Sequence, residues 1–392
     1  VGTTPSAQPA LLGIIGGGDI AHRTYVPLLK RIADANVVAV FDRDESRAAE
    51  LVRSLRERWP EARAVESLAK LRSEASVDAV FNLTPAVAHY EVTKMALEAG
   101  LDVYSEKPMA ASVEDASELI ELAQRSGRLL LCAPGNLASP RFTFVADLIH
   151  SGRIGTPHLA VAQIANLGPA TWGEYIGDPR PFYEVGPLVD QGVYGLHFMT
   201  GLLGPATKVQ AIASTALPDR VTRTKGSNGV TFSLTKPDQM LIHLTFAGAV
   251  GHFLTSFAVS GTRAPGFEIH CTAGSLVFDD HEASCRSVFV CGQPDDADAE
   301  PPQWQEIEQP RESPVVDTVN VIEDGAEHFV ACLNGRAEPI LRPEHARHIV
   351  DIIAAVDESV STGAAVPLRT TFTAPLQHAD LGDRDTGLVN SS

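Results

Sequence analysis

The sequence predicts an α/β protein: an N-terminal doubly wound parallel sheet, then an α+β part with a large open, mostly antiparallel sheet. Three observations carry this expectation. From Leu11 to Leu131 short apolar runs alternate with longer amphipathic stretches, the pattern of strand-helix units stacking into a parallel sheet. A glycine-rich turn follows the first apolar run directly. From Val209 to Val290 the chain reads mostly as strands separated by Gly, Pro and Asp.

Taken in order, the expected parallel strands are Leu11 to Ile15, Val37 to Phe41, Val77 to Asn82, Leu101 to Tyr104 and Leu129 to Cys132. Helical spacing recurs between them, as at Val87 to Glu98 and Val113 to Gln124, where apolar residues fall at intervals of three and four. After about Pro140 the texture changes. A helix from Phe142 to His150 and the turn Ser151-Gly152-Arg153-Ile154-Gly155 precede a strand near Leu159 to Ile164. Gln239 to Phe246, His252 to Val259 and Phe267 to Cys271 are the clearest strands of the second sheet. Gln293 to Pro314, rich in Pro, Asp, Glu and Gln, reads as a solvated excursion, and helical patterns return at Gly325 to Leu333 and Pro343 to Ser359. The domains expected are therefore 11–135 and 136–373, the closing helices packing back on the first, with flexible ends at 1–10 and 374–392.

The 392 residues suffice for two compact domains, and 44% are hydrophobic, enough to bury a core in each. A net charge of -18 argues against nucleic acid and against anionic lipid as partners. A small-molecule partner is the expectation. No apolar stretch reaches the roughly 18 residues a bilayer span needs, and the opening VGTTPSAQPA lacks the pattern of a signal peptide, so a cytoplasmic location is expected. Five cysteines, at 132, 271, 285, 291 and 332, form no CxxC pair and read as reduced thiols. His281 and Cys285 are spaced as ligands on a helix turn, but their polar setting favours an exposed loop, and no metal is expected.

Gly16-Gly17-Gly18-Asp19-Ile20-Ala21 fits the Rossmann dinucleotide fingerprint with Ala in the last place. Gly16 permits the tight turn, Gly18 leaves room for a pyrophosphate, and Ala21 lets the helix pack closely on the strand. The helix start supplies N–H groups and a partial positive charge to phosphates. Asp42 ends the second strand, 21 residues beyond Ala21, where a carboxylate accepts hydrogen bonds from ribose hydroxyls. Alone it reads better as a turn residue closing a strand; the upstream glycines favour the ribose role. A carboxylate there repels a 2'-phosphate and favours NAD over NADP, a preference that Arg43 blurs because a guanidinium can pair with that phosphate.

Two further clusters fall where parallel strands end, the place an open sheet forms its ligand crevice. One is Thr84-Pro85 with His89; the other is Glu106-Lys107-Pro108, in which proline holds Lys107 out of a helix. A third lies between Gly186 and His197: Pro187 suits a first helical turn, so Asp190 and Tyr194 should share one face, with His197 about a turn further on. In isolation each of these segments also reads as ordinary structure, a surface lysine beside a turn or a half-buried polar helix face.

Together these clusters resemble the glucose-fructose oxidoreductase and inositol dehydrogenase family, Gfo/Idh/MocA, from about Leu11 to Leu368. Glu106-Lys107-Pro108 is the most specific piece, and His328-Phe329, Glu358-Ser359 and Val366-Pro367-Leu368 resemble the family's closing helix and strand. The resemblance implies an NAD(P)-dependent oxidoreductase of cyclitols, sugars and related alcohols, a homo-oligomer (dimer or tetramer) whose open sheet forms contacts. It implies a cofactor site of Gly16, Gly18, Asp19, Ile20, Ala21, Asp42, Arg43, Thr84, Pro85, His89, Glu106 and Lys107. It also maps Lys107, Asp190 and Tyr194 to catalysis, Tyr194 standing where many members have histidine and some have tyrosine. Three departures stand out: Glu184-Val185-Gly186 in place of three glycines, and Gly135 and Leu137 where asparagine and arginine are usual.

The chemistry expected is that Tyr194 takes or gives the hydroxyl proton as hydride moves, its phenolate favoured by the ammonium of Lys107. Asp190 would hold a substrate hydroxyl or Lys107, with Trp172, Tyr183 and His197 on the pocket wall. Two alternatives stay open: a non-catalytic NAD(H)-binding sensor or subunit, and an enzyme whose transient oxidation primes elimination or glycoside cleavage.

Overall fold

The computed structural model describes residues 9–278, 287–292, 303–308 and 321–374. Six strands, β1 (Leu11–Ile15), β2 (Asn36–Phe41), β3 (Arg63–Ala64), β4 (Ala79–Asn82), β5 (Asp102–Ser105) and β6 (Leu130–Cys132), form one wholly parallel sheet in the order β3-β2-β1-β4-β5-β6. The strand order reverses between β1 and β4, so the ligand crevice of such a sheet lies beyond the carboxyl ends of those two strands. Helices α1 (Val26–Leu29), α2 (Glu45–Leu55), α3 (Leu68–Ser73), α4 (His89–Glu98) and α5 (Val113–Ser126) cover both faces. That is why the central strands are mostly apolar, with Leu12, Ile14, Val80, Phe81 and Val103 fully buried. Sequence reading missed β3, which is two exposed residues without an apolar run.

Beyond α6 (Pro140–His150) the chain builds a second sheet. Its strands are β7 (Pro157–Ala165), β8 (Lys208–Ser214), β11 (Gln239–Thr245), β12 (Val250–Ser256), β13 (Phe267–Cys271), β14 (Gly274–Phe278), β15 (Ser287–Gly292), β16 (Gln305–Glu308) and β17 (Val366–Pro367), with β9 (Asp219–Val221) and β10 (Thr231–Ser233) forming a separate hairpin. The order is β16-β15-β14-β13-β7-β12-β11-β8-β17, antiparallel except where β7 meets β12. One expectation is corrected: within the supposed solvated excursion, Gln305–Glu308 pairs with β15 at the sheet edge, because a backbone ladder tolerates polar side chains on an exposed edge strand. His281, Cys285, residues 293–302 and 309–314, and most of both termini lie outside the described residues.

Helix α7 (Arg180–Pro187) leads into a wide turn at Leu188–Gly192 and then α8 (Val193–Leu203). Helices α8 and α10 (Pro343–Thr362) lie against the second sheet, α10 along β8. Helix α9 (Val321–Leu333) lies against the turn Gly135–Ala138 and α1, while α10 also packs on α5. Helix α10 thus touches both β8 and α5, and α9 touches α1. No helix among the described residues is long and apolar enough to cross a membrane.

Candidate active site

The glycine turn is shaped by what surrounds it. Gly16 has φ +98°, and a Cβ there would lie 2.8 Å from the carbonyl of Leu83, so no L side chain fits. A Cβ on Gly18 would meet nothing within 4 Å, which leaves open space at the start of the helix that begins around Ala21. That cradle suits a pyrophosphate. The carboxylate of Asp42 accepts from the N–H of Gly17 at 2.7 Å and of Asp44 at 2.8 Å. It therefore braces the glycine turn from the end of β2 and still has lone pairs for ribose hydroxyls. Arg43 is exposed beside it, and Asp19 pairs with Arg23 at 3.8 Å.

Several residues expected at the cofactor site brace its loops. Thr84 donates its hydroxyl to Asn82 Oδ1 at 2.6 Å, and Asn82 in turn donates to the carbonyl of His89 and to Thr93. The buried His89 ring stands between two carbonyls, that of Thr84 on Nε2 and that of Pro108 on Nδ1, each at 2.7 Å. It thus ties the Thr84-Pro85 loop to the Lys107-Pro108 loop. Glu106 is buried too, and both its oxygens are engaged by the protein: Tyr25 donates to Oε1 at 2.7 Å and the N–H of Lys107 to Oε2 at 2.9 Å.

Lys107, Asp190 and Tyr194 come together. Lys107 Nζ donates to the carbonyl of Asp190, sits 3.6 Å from Asp190 Oδ1 and lies 5.2 Å over the centre of the Tyr194 ring. Asp190 is buried, and its Oδ2 has no hydrogen-bond partner among the described residues. Such an atom costs free energy unless a donor reaches it, so it suits a ligand hydroxyl. Burial raises the Asp190 pKa, and Lys107 opposes this. The expected phenolate at Tyr194 is corrected. Burial first, then the negative charges of Glu106 and Asp190, hold its pKa well above 10, while the ammonium lies on the ring face and is engaged by Asp190.

The proposed pocket wall divides. Trp172 is 37% exposed and packs with Tyr175 and Phe182. Arg23, from the helix after the glycine turn, reaches this segment, donating to the carbonyl of Glu174 at 3.1 Å with its guanidinium over Tyr175. Tyr183 is instead locked in structure, its hydroxyl donating to the carbonyl of Leu167 and accepting from the N–H of Ala170. His197 is buried against His345, their ring centres 4.5 Å apart. Sequence reading missed Tyr25, Arg23 and Tyr175. Tyr25 is 81 residues from the carboxylate it holds, and no local pattern marks that pairing.

The three departures also acquire reasons. Of the residues leading to the Asp190 turn, only Gly186 has a positive φ, +84°, so Glu184 and Val185 are sterically permitted before it. Gly135 lies under α9: a Cβ there would fall 2.1 Å from the carbonyl of Val321. Leu137 is buried against α8, where a Cβ on Gly201 would reach it at 2.5 Å.

Comparison with known proteins agrees with this geometry. Residues 11–133 match the model of the oxidoreductase family with an NAD-binding Rossmann fold, and residues 142–277 that of the GFO/IDH/MocA C-terminal domain. The chain is 31% identical over 65% of its length, and 73% of the relative's, to dTDP-3,4-didehydro-2,6-dideoxy-alpha-D-glucose 3-reductase of Saccharopolyspora spinosa. It is 28% identical over 52% of its length, and 57% of the relative's, to D-glucoside 3-dehydrogenase of Escherichia coli. Levoglucosan dehydrogenase, solved with NADH and L-sorbose, shares the fold with a TM-score of 0.76 at 20% identity, over 93% of this chain and all of the other. With its glycine cradle, bracing Asp42 and largely buried lysine-aspartate pair, the chain belongs to the Gfo/Idh/MocA family of NAD-binding oxidoreductases.

Proposed function

We propose that the protein transfers a hydride between nicotinamide and a secondary alcohol or ketone of a sugar, cyclitol or glycoside. The observation that carries the reading is the meeting of Lys107 with Asp190 and Tyr194, beyond the ends of the parallel strands and with an acceptor of Asp190 left unpartnered. Bound NAD(H) takes up or supplies the hydride. Gly16, Gly18 and the start of the helix at Ala21 would hold its pyrophosphate, and Asp42 the adenosine ribose, a carboxylate that favours NAD over NADP.

The chain's own residues handle the proton and the substrate. A phenol held well above its ordinary pKa stays protonated across neutral pH, so Tyr194 is suited to donate a proton to a substrate carbonyl oxygen as hydride arrives. Asp190 Oδ2 accepts from a neighbouring sugar hydroxyl, and Lys107 keeps that carboxylate charged and in place. Trp172 and Tyr175 supply an aromatic wall against which the C–H face of a sugar ring can pack. A panel of sugars, keto sugars, cyclitols and glycosides, read at the NADH absorbance band with NAD(H) and NADP(H), tests the reading. Absence of turnover in either direction across the panel would refute it.

The same reading includes self-assembly. The face of the second sheet turned away from α8 and α10 presents Ile212, 64% exposed, in register with Leu241 and Leu254, and further along the same face Val250, 52% exposed. An apolar stripe of this kind supports a homo-oligomer, a dimer or tetramer, which light scattering after size exclusion would detect.

A further inference from the structure

The helix that opens the cofactor cradle and the loop that carries Lys107 are joined by one buried hydrogen bond. Tyr25 ends the wide turn Ala21–Tyr25, is fully buried, and packs edge-on against Tyr104 with Phe81 beside it. Its hydroxyl donates to Glu106 Oε1 at 2.7 Å. The other oxygen of Glu106 accepts the backbone N–H of Lys107 at 2.9 Å. Among the described residues those are the only two hydrogen-bond donors to this carboxylate. Lys107 then extends to Asp190 and over Tyr194.

We propose that Tyr25 is a positioning residue: its phenol holds Glu106, and Glu106 holds the Lys107 backbone so that the ammonium stays on Asp190 and Tyr194. The assignment rests on the hydride-transfer reading for its effect on turnover, but its structural half stands on the hydrogen bonds alone. Geometry and charge argue for it. A buried carboxylate needs donors to remain charged, and only one of the two here comes from a side chain. The groups that face Glu106 from the surrounding elements are Tyr104, Asp190, Tyr194, His89 and Cys132, besides Lys107 and Tyr25. Of these Lys107 supplies the standing positive charge, and the two tyrosines, the thiol and Asp190 supply none. Without the Tyr25 hydroxyl, Glu106 Oε1 is left buried without a donor, and the side chain is no longer held in the orientation that meets the Lys107 N–H.

Tyr25→Phe removes the hydroxyl while leaving the ring to fill its place. Two readouts follow. In the cofactor-free protein, amide hydrogen exchange over residues 105–109 should speed up by about tenfold, with exchange in β1 and β4 unchanged. In turnover, kcat should fall by about 10-fold, with 100-fold the ceiling for a displacement on the scale of an ångström, while NADH binds within about twofold of the parent. KM for the substrate should stay within about twofold, so that the loss falls on kcat. In Tyr25→Phe/Glu106→Gln the loss should be no larger than in Glu106→Gln alone, because the Tyr25 hydroxyl acts only through that side chain. A merely structural role would lower kcat through loss of folded protein and would add to the effect of Glu106→Gln. Unchanged exchange over 105–109, or effects that add in the double variant, overturns the proposal. If the parent protein turns over nothing while Tyr25→Phe still loosens 105–109, the hydride-transfer reading fails and the positioning role of Tyr25 stands.

Discussion

Two buried polar groups hang from the same stretch of chain, and they are built to opposite ends. At its start, Asp190 and Tyr194 meet Lys107, so the buried charge is paired and one carboxylate oxygen remains without a partner. One turn on, His197 meets His345, which hydrogen-bonds Thr200 and stacks on Phe372, and His348 contacts the same phenyl ring. The nearest opposite charge is one step removed, Asp351 reaching His348 through Thr370, and among the described residues no carboxylate acts on His197 or His345. Burial keeps the rings neutral, pushing His197 down to about 3 and His348 to about 4, with His345 also well below its ordinary value. Burial around a paired charge keeps a group reactive; burial of unpaired imidazoles makes a neutral plug between α8, α10 and the segment after β17.

The largest effect that would break this comparison is catalytic. Lys107→Met and Tyr194→Phe should each lower turnover at least about 100-fold with NADH affinity intact, as stopped-flow binding and steady-state rates would show. Near-normal rates in both would place the chemistry elsewhere. A smaller effect concerns the histidines and acid. Unfolded histidines take up protons as the pH falls through about 6.5, whereas His197 and His348 in the folded protein resist until about 3 and about 4. Protons therefore favour the unfolded chain. Their contribution to stability is complete above about pH 6.5 and is lost as pH falls toward 4, by up to about 1.4 kcal/mol per pH unit for each histidine. Urea unfolding at several pH values should show the slope, and His197→Leu should flatten it; an equal slope in that variant would sink the neutral-plug reading.

Next in size is Asp42→Ala, which removes the acceptor of the Gly17 N–H. It should weaken NADH binding by about 1 kcal/mol, roughly fivefold, and narrow the preference over NADPH. Isothermal titration with both cofactors measures this, and an unchanged ratio would mean that Asp42 only closes a turn. The smallest change sharpens the pocket boundary. Because both hydrogen bonds of the Tyr183 hydroxyl go to backbone, Tyr183→Phe should leave KM for the sugar within about twofold while lowering the unfolding midpoint. A selective rise in KM would return Tyr183 to the substrate wall.

The N-terminal sheet was legible because its periodicity is local. Its central strands are short apolar runs buried on both faces, and the turn at Gly16 demands a residue without a side chain. Strand β3 and the edge strand β16 were not legible, since neither carries an apolar run and each exists only through its backbone pairing. At the site, the motif positions Lys107, Asp190 and Tyr194 could be picked from sequence, whereas their mutual geometry and the protonation of Tyr194 could not. Thr84, His89 and Glu106 were found as motif members and turned out to brace loops. Tyr25 was invisible because it pairs with a residue far along the chain.

By itself, then, the amino-acid order determined the strand-helix alternation, the glycine turn and the chemical types available at the strand ends, all properties of neighbours a few residues apart. Only the tertiary structure decided which of those groups are paired, buried or left with an unmet acceptor. Charge state and hydrogen-bond satisfaction depend on what lies within a few ångströms, and folding brings those atoms together from distant parts of the chain.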